Sequence, residues 1–381
     1  MSQAQKIVLE SRTGDKLYGL SWHVQDGIAN VIIMEGMEEH SSRYDNFAQY
    51  LNKEGFNVYC IDVYGQGENV NSDFSNRGIW PKSAFRKQVQ AVDTLVEKLR
   101  ISCRPTFIFA HSMGSFMCQD YIQRYTEHVS KVVLCGSGSK NPAVPVGFTL
   151  AKLIVNKNNR NKKAGLLNKL MFSGFNKKIK NPRTPYDWLS VNEENVDKYI
   201  EDPLCGYGPT NGFCYEFLKG MNRLYKKKFL NKIRKDLDIF IISGSDDPVT
   251  NYGDSVETLK KMYTKLGVKN VQTKIYYGYR HEILNEKTRT CLPCLISSKK
   301  DYVLPECDVE APEGKEFAYY VVDGREMHPG DKVRIKKDLE ISIRWKTQTG
   351  KKKSAPKDEE NPVYRDIVAF FKQDLEKKNI I

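Results

Sequence analysis

Residues 107–116 read FIFAHSMGSF. The opening apolar run suits a strand buried on both faces, and the closing residues read as the start of a helix. Between them stands Ala110-His111-Ser112-Met113-Gly114, a serine with a small residue two places before it and two places after it. A strand that turns straight into a helix brings two backbones almost into contact, and only small side chains fit at the crossing. Two readings of Ser112 are open on these residues. It is either a serine held out on a sharp turn for nucleophilic attack, or an ordinary serine at a helix start, where the hydroxyl caps free N–H groups.

Working outward, the pattern alternates between strand and helix. Upstream, residues 5–24 read as a strand pair around the turn 12–16, and NVIIM (30–34) as a short buried strand. Residues 41–55 carry helical spacing at Tyr44, Phe47, Ala48 and Leu51 and stop at Gly55, a plausible C-cap. A strand over 56–65 and a long amphipathic helix over 83–100 follow. Downstream come a helix over 113–127, strands over 131–138, 238–244 and 271–278, and a helix over 253–267. Such alternation predicts an α/β fold with a mostly parallel sheet and helices on both faces. Two stretches break the rhythm. Residues 139–235 read as several helices and polar turns, an excursion long enough to be a functional lid. After His281 a long insert precedes the amphipathic run 362–378. The expected organisation is a first core part at 1–138, a helical lid at 139–235 and a second core part at 236–286. An inserted small β-rich module with a charged linker follows at 287–361, and a closing core helix at 362–381.

Composition narrows the function classes. The chain has 381 residues, is 40% hydrophobic and carries a formal net charge of +13. Its basic residues fall in separate runs, at 156–163, 225–229, 336–339 and 346–357, with no nucleic-acid-binding motif beside them. They read as solvated surface, or as attraction toward anionic lipid, and nucleic acid is not expected as a partner. The N-terminus shows no basic region followed by an apolar one, and no apolar run reaches the roughly 18 residues of a membrane span. Nine irregularly spaced cysteines suit reduced thiols. The expected location is cytoplasmic, with peripheral membrane contact as an extension.

Two further sets follow strand-like runs. Gly244-Ser245-Asp246-Asp247-Pro248-Val249 comes directly after one, and an acid beyond a strand end can orient a histidine. Asp246 and Asp247 both qualify. His281 follows the last strand, in a chain with only six histidines, and the order serine, aspartate, histidine is that of one hydrolase architecture. The loop after NVIIM, Glu35-Gly36-Met37, is placed to offer backbone N–H groups. Met37 and Met113 would then form an oxyanion hole. His40 reads as structural.

These motifs resemble the monoacylglycerol lipase and lysophospholipase branch of the α/β-hydrolase superfamily, often labelled serine aminopeptidase-like. The match spans roughly residues 10–286 and 362–378 and extends into the excursion, where 181–213 resembles the lid of bacterial members. The resemblance implies an α/β-hydrolase fold and a triad of Ser112, Asp247 and His281, and it is what selects Asp247 over Asp246. It implies hydrolysis of a lipid ester through an acyl-enzyme, with no metal or organic cofactor. The chain departs from the pattern at three places: Glu35 replaces a histidine, Ala110 replaces the first elbow glycine, and Val63-Tyr64-Gly65-Gln66-Gly67 stands where an Arg-Gly-x-Gly is common. An ionised Glu35 near the oxyanion loop would oppose the developing negative charge. The apolar stretch 142–155, followed by the basic run 156–163, suits either an acyl chain drawn from a micelle or membrane, or a lid helix packed on its own pocket. A small-substrate aminopeptidase or amidase, a general carboxylesterase and a non-catalytic lipid- or protein-binding protein are the rival readings.

The insert alternates short β-like runs with Gly/Pro turns. LPEC-x3-APEGKEF, the following Pro329-Gly330-Asp331 and Trp345 make it similar to internalin-type B repeats, small β-grasp-like modules. Its partner is unspecified. Cys291, Cys294, Cys307 and His328 offer four N/S ligands, but their spacing matches no standard zinc framework, and no metal is expected.

Overall fold

The computed structural model describes residues 3–287, 294–296, 301–304, 315–322, 325–334, 339–347 and 361–377. The chain divides into two compact units, one comprising 1–286 and 363–381, the other 287–362.

The larger unit is an α/β-hydrolase fold. Its strands are β1 (Gln5–Glu10), β2 (Lys16–Trp22), β3 (Ala29–Met34), β4 (Phe56–Ile61), β5 (Thr106–His111), β6 (Lys131–Cys135), β7 (Asp238–Gly244) and β8 (Asn270–Tyr276). They form one sheet in the order β1-β2-β4-β3-β5-β6-β7-β8. Only β2 runs antiparallel to its neighbours; from β4 to β8 every pairing is parallel. The helices are α1 (Asp45–Lys53), α2 (Ala84–Arg100), α3 (Met113–Ile122), α4 (Ala143–Ile154), α5 (Gly165–Phe172), α6 (Glu193–Glu201), α7 (Asn211–Leu224), α8 (Lys227–Leu230), α9 (Asp254–Lys265) and α10 (Pro362–Lys377).

The doubly apolar strands are explained by two separate cores. Successive strand side chains point to opposite faces. Ile32, Met34, Ile108, Ala110, Leu134 and Ile241 join one cluster with α2, α3 and α9. Val31, Ile33, Phe107, Phe109, Val133 and Phe240 join the other with α1 and α10. Phe371 of α10 stacks on Phe107 with centroids 5.0 Å apart, so the distant C-terminal helix completes the second core.

Several elements are shorter than the sequence pattern predicts. β4 stops at Ile61, because Val63–Gln66 closes a turn with Gly65 at φ 65°. α3 ends at Ile122, and residues 126–128 form a separate 3₁₀ turn. The excursion 139–235 contains α4 to α8, and α7 is capped by Thr210, whose hydroxyl accepts the Phe213 N–H at 3.2 Å.

The smaller unit has two antiparallel sheets. One orders β12 (Arg325–Met327), β11 (Lys315–Val322), β14 (Leu339–Thr347) and β9 (Cys294–Ile296); the other pairs β10 (Asp301–Val303) with β13 (Lys332–Arg334). Leu304, Tyr320, Val322, Val333 and Ile341 make its core. Most of the LPEC-x3-APEGKEF run, Cys291, Cys307 and the stretch 348–360 lie outside the described residues.

Candidate active site

The parallel strands deliver the chemistry-bearing residues to one edge. β3 leads into Gly36 and Met37, β5 into Ser112, β6 into Gly136, and β7 and β8 into the loops bearing Asp247 and His281. The chain leaves β3 toward β4 on one side and returns to β5 on the other. The crevice beyond the carboxyl ends of β3 and β5 is thus a topological switch point, where such sheets bind ligands.

Ser112 sits on a strained turn, at φ 50° and ψ −118°. Hydrogen bonds pin it on both sides. Its N–H donates to the Cys135 carbonyl at 2.9 Å, and its own carbonyl accepts from the Ser115 N–H at 2.9 Å and the Ser115 hydroxyl at 2.6 Å. The Ser112 hydroxyl makes no capping bond to α3, so a helix-cap role does not explain its placement. A side chain at Gly114 would put its Cβ 2.1 Å from the Met34 carbonyl oxygen. Ala110 is fully buried and lies in register with Met34 and Leu134.

Asp247 and His281 are both buried, and Asp247 Oδ2 lies 2.9 Å from His281 Nδ1. Asp247 Oδ1 accepts the Val249 N–H at 2.8 Å, which fixes the carboxylate. Asp246 is exposed and instead takes the Ser245 hydroxyl at 2.9 Å. Gly136 leaves room for the imidazole: a Cβ there would lie 2.9 Å from His281 Cε1. Trp188 and His111 flank the His281 ring at 5.1 and 4.8 Å between centroids. His281 Nε2 is buried without a hydrogen-bond partner.

Ser112, His281, Met37 and Met113 all line one cavity of about 1330 Å³. Met113 opens α3, so its N–H belongs to the unpaired first turn of that helix. The excursion contributes an apolar wall that includes Val144, Leu150, Leu167, Met171 and Leu218.

The surroundings of Glu35 oppose a charge at the oxyanion loop. Its Oε1 accepts the Val63 N–H at 2.9 Å and the Gln66 amide at 2.8 Å. Burial, then the neighbouring Asp62 carboxylate, push the Glu35 carboxyl well above its ordinary value. Asp62 is equally buried but better supplied with donors, accepting from the Ser41 N–H, the Ser41 hydroxyl and the Glu68 N–H. Of the two carboxyls, Glu35 is therefore the one driven toward its neutral form.

One set of residues beneath the site is missed by sequence reasoning. Glu39 accepts from the Gly36 N–H at 2.6 Å, Tyr44 at 2.8 Å and Arg43 at 3.0 Å, and pairs with His111 Nδ1 at 3.1 Å. Arg43 also forks onto Glu282, with both bonds at 2.7 Å. Burial raises the Glu39 carboxyl, but His111 and Arg43 outweigh it and hold the group at about 2. The i,i+4 spacing of Glu39 and Arg43 and the His281-Glu282 pair were the available signals. His40 is hydrogen-bonded to Asp202 at 2.8 Å and to Ser42 at 2.6 Å, and so ties this loop to the excursion.

His40, Asp202 and Cys205 bring potential metal-ligating atoms within 4.8 Å of one another. His40 and Asp202 already satisfy each other, and burial raises the Cys205 thiol, which stays protonated. The donor set therefore does not favour a cation.

The chain is similar to several known proteins. It is 25% identical over 259 residues to a monoacylglycerol lipase of Mycolicibacterium smegmatis, an alignment covering 67% of this chain and 82% of that one. It is 24% identical over 115 residues to phospholipase YtpA of Bacillus subtilis, covering 30% of this chain and only 42% of that protein. Among solved structures, a thermostable carboxyl esterase from Bacillus coagulans, in complex with glycerol, superposes with a TM-score of 0.69 at 25% identity, over 75% of this chain and 93% of that one. Residues 25–288 match the family described as serine aminopeptidase, S33, and the protein belongs to that family of α/β-hydrolases.

Proposed function

We propose that the protein is a serine hydrolase that cleaves carboxylic esters of lipid type, a monoacylglycerol or a lysophospholipid, through an acyl-enzyme on Ser112. The buried Asp247–His281 pair beside the strained Ser112, at a large cavity with an apolar wall, carries this reading. The similarity to a monoacylglycerol lipase and to a glycerol-bound carboxyl esterase supports the substrate class.

In the first step His281 Nε2 accepts the Ser112 hydroxyl proton while Oγ attacks the ester carbonyl. Asp247 holds Nδ1–H, so that the other nitrogen is free to act as base, and stabilises the imidazolium. The developing oxyanion is met by the backbone N–H groups of Met37 and Met113. His281 then delivers its proton to the alcohol oxygen, the C–O bond breaks, and the alcohol leaves. In the second step water gives a proton to His281 and attacks the acyl carbon, releasing the carboxylic acid and restoring Ser112. Burial and Asp62 drive Glu35 toward its neutral form, which lessens the repulsion that an ionised carboxylate would exert on the oxyanion.

The exposed leucines Leu153 and Leu166, among exposed lysines such as Lys152, Lys162 and Lys169, support transient docking on an anionic lipid surface. Among the described residues no helix is long and apolar enough to cross a membrane. Ser112→Ala should lower monooleoylglycerol hydrolysis by at least ~1000-fold and abolish fluorophosphonate labelling. Hydrolysis that persists at the wild-type rate would sink the assignment.

A further inference from the structure

Three buried carboxyl groups line the cavity: Glu38, Glu39 and Glu282. Two are fully engaged. Glu39 is held by Gly36, Arg43, Tyr44 and His111, and Glu282 by Arg43, Asn195 and Asn285. Glu38 differs. Its Oε2 accepts the Gly208 N–H at 3.1 Å, whereas Oε1 is buried without a partner. A buried oxygen left unpaired is destabilising. The backbone adds a second cost, because Glu38 stands at φ 58°, a region that glycine enters freely and glutamate does not. Two unfavourable features at one cavity residue point to function.

The position of Glu38 says which half of a substrate it meets. It directly follows Met37 in the chain. Its carbonyl accepts the Gly206 N–H at 3.3 Å, and the Tyr186 hydroxyl donates to the Gly206 carbonyl at 2.9 Å. Tyr186 packs on Tyr199, and both line the cavity with Trp188, which lies against His281. On the ester-hydrolase reading the alcohol half belongs on that side, because His281 must protonate the leaving oxygen. The aliphatic wall of Val144, Leu150 and Met171 suits the acyl chain instead.

We propose that the Glu38 carboxyl is a further substrate-binding group, which accepts a hydrogen bond from a free hydroxyl on the alcohol half of the ester. The inference rests on the ester-hydrolase reading above. Such a bond gives the unpaired oxygen its partner and sets the register of the alcohol next to His281. The cations facing Glu38 are Lys163 and Arg77, and they disfavour an ammonium there. Burial, against the Gly208 N–H and these two cations, raises the Glu38 carboxyl to about 7, where a donor hydroxyl would stabilise its ionised form.

The test compares 1-monooleoylglycerol with ethyl oleate in the same mixed micelles, for wild type, E38Q and E38G. Glycine suits the positive φ, so E38G removes the side chain without straining the turn. The ratio of kcat/KM for the glycerol ester over the ethyl ester should fall roughly tenfold in E38G. It should fall less in E38Q, which keeps an acceptor, and the loss should sit in KM. A ratio equal to wild type in E38G overturns the proposal. An alanine anilide cleaved faster than the glycerol ester, and slowed by both substitutions, overturns it in favour of an amine ligand. If wild type labels at Ser112 yet cleaves neither ester, the ester-hydrolase reading itself fails, and the proposal with it.

Discussion

Gly114 and Ala110 flank the same serine but tolerate side chains differently. A Cβ at Gly114 meets two backbone carbonyls, 2.1 Å from Met34 O and 2.6 Å from Glu35 O, and backbone atoms cannot swing aside. Gly114→Ala should destabilise the protein by about 3 kcal/mol or more, read as a lower urea midpoint. Ala110 points into a fully buried core, and Ala110→Gly should cost about 1 kcal/mol through strand entropy, with esterase activity retained. Glu35 makes a pH-dependent prediction. Its carboxyl titrates above 4.5 in the fold, so the folded state binds a proton that the unfolded chain has released. Stability from this group is complete below the unfolded value and is lost as pH rises through the folded one. Glu35→Gln removes that slope, so urea midpoints of the variant should gain on wild type as pH rises above about 4.5. A difference that does not change with pH would contradict a raised Glu35 carboxyl.

At the scale of elements, α4 and α5 serve two surfaces at once. Leu150 and Leu167 face the cavity, while Leu153 and Leu166 are 79% and 54% exposed. The two roles proposed for the apolar stretch 142–155, pocket wall and lipid contact, are therefore compatible on one helix. Leu153→Asp with Leu166→Asp should weaken co-sedimentation with anionic vesicles and slow hydrolysis of vesicle-borne substrate. Thermal stability should stay within about 0.5 kcal/mol, as for exposed positions. Equal vesicle binding by variant and wild type would remove lipid docking from this surface. The elements themselves were largely readable: the doubly apolar runs at 30–34, 105–110 and 131–138 could only be central strands. Their ends were not. β4 stops four residues early because Val63 and Gln66 donate to Glu35, a demand that no local pattern carries.

At the scale of the molecule, both large cores draw, among the described residues, only on 1–286 and 363–381. Unit 287–362 has its own small cluster. Replacing residues 290–358 by a flexible Gly/Ser linker should leave the larger unit with a cooperative thermal transition and a Ser112 that labels with fluorophosphonate. Ending the chain at residue 361 should instead abolish that transition, because Phe370 and Phe371 would no longer cover Phe107 and Phe240. A truncated chain that still melts cooperatively would show that α10 is dispensable.

The order of apolar strands and amphipathic helices, read with the small residues around Ser112, determined the fold class from sequence alone, because strand burial and backbone crossings leave local signatures. The positions of Asp247 and His281 after their strands were legible for the same reason. Choosing Asp247 over Asp246 from the residues themselves was not, since the two are adjacent and only burial against His281 separates them. The raised carboxyl of Glu35, the Glu39–Arg43–His111–Glu282 lattice and the unpaired oxygen of Glu38 likewise depended on the tertiary structure. Protonation and hydrogen-bond satisfaction are set by which distant chains close around a group, and that information is nowhere local in the sequence.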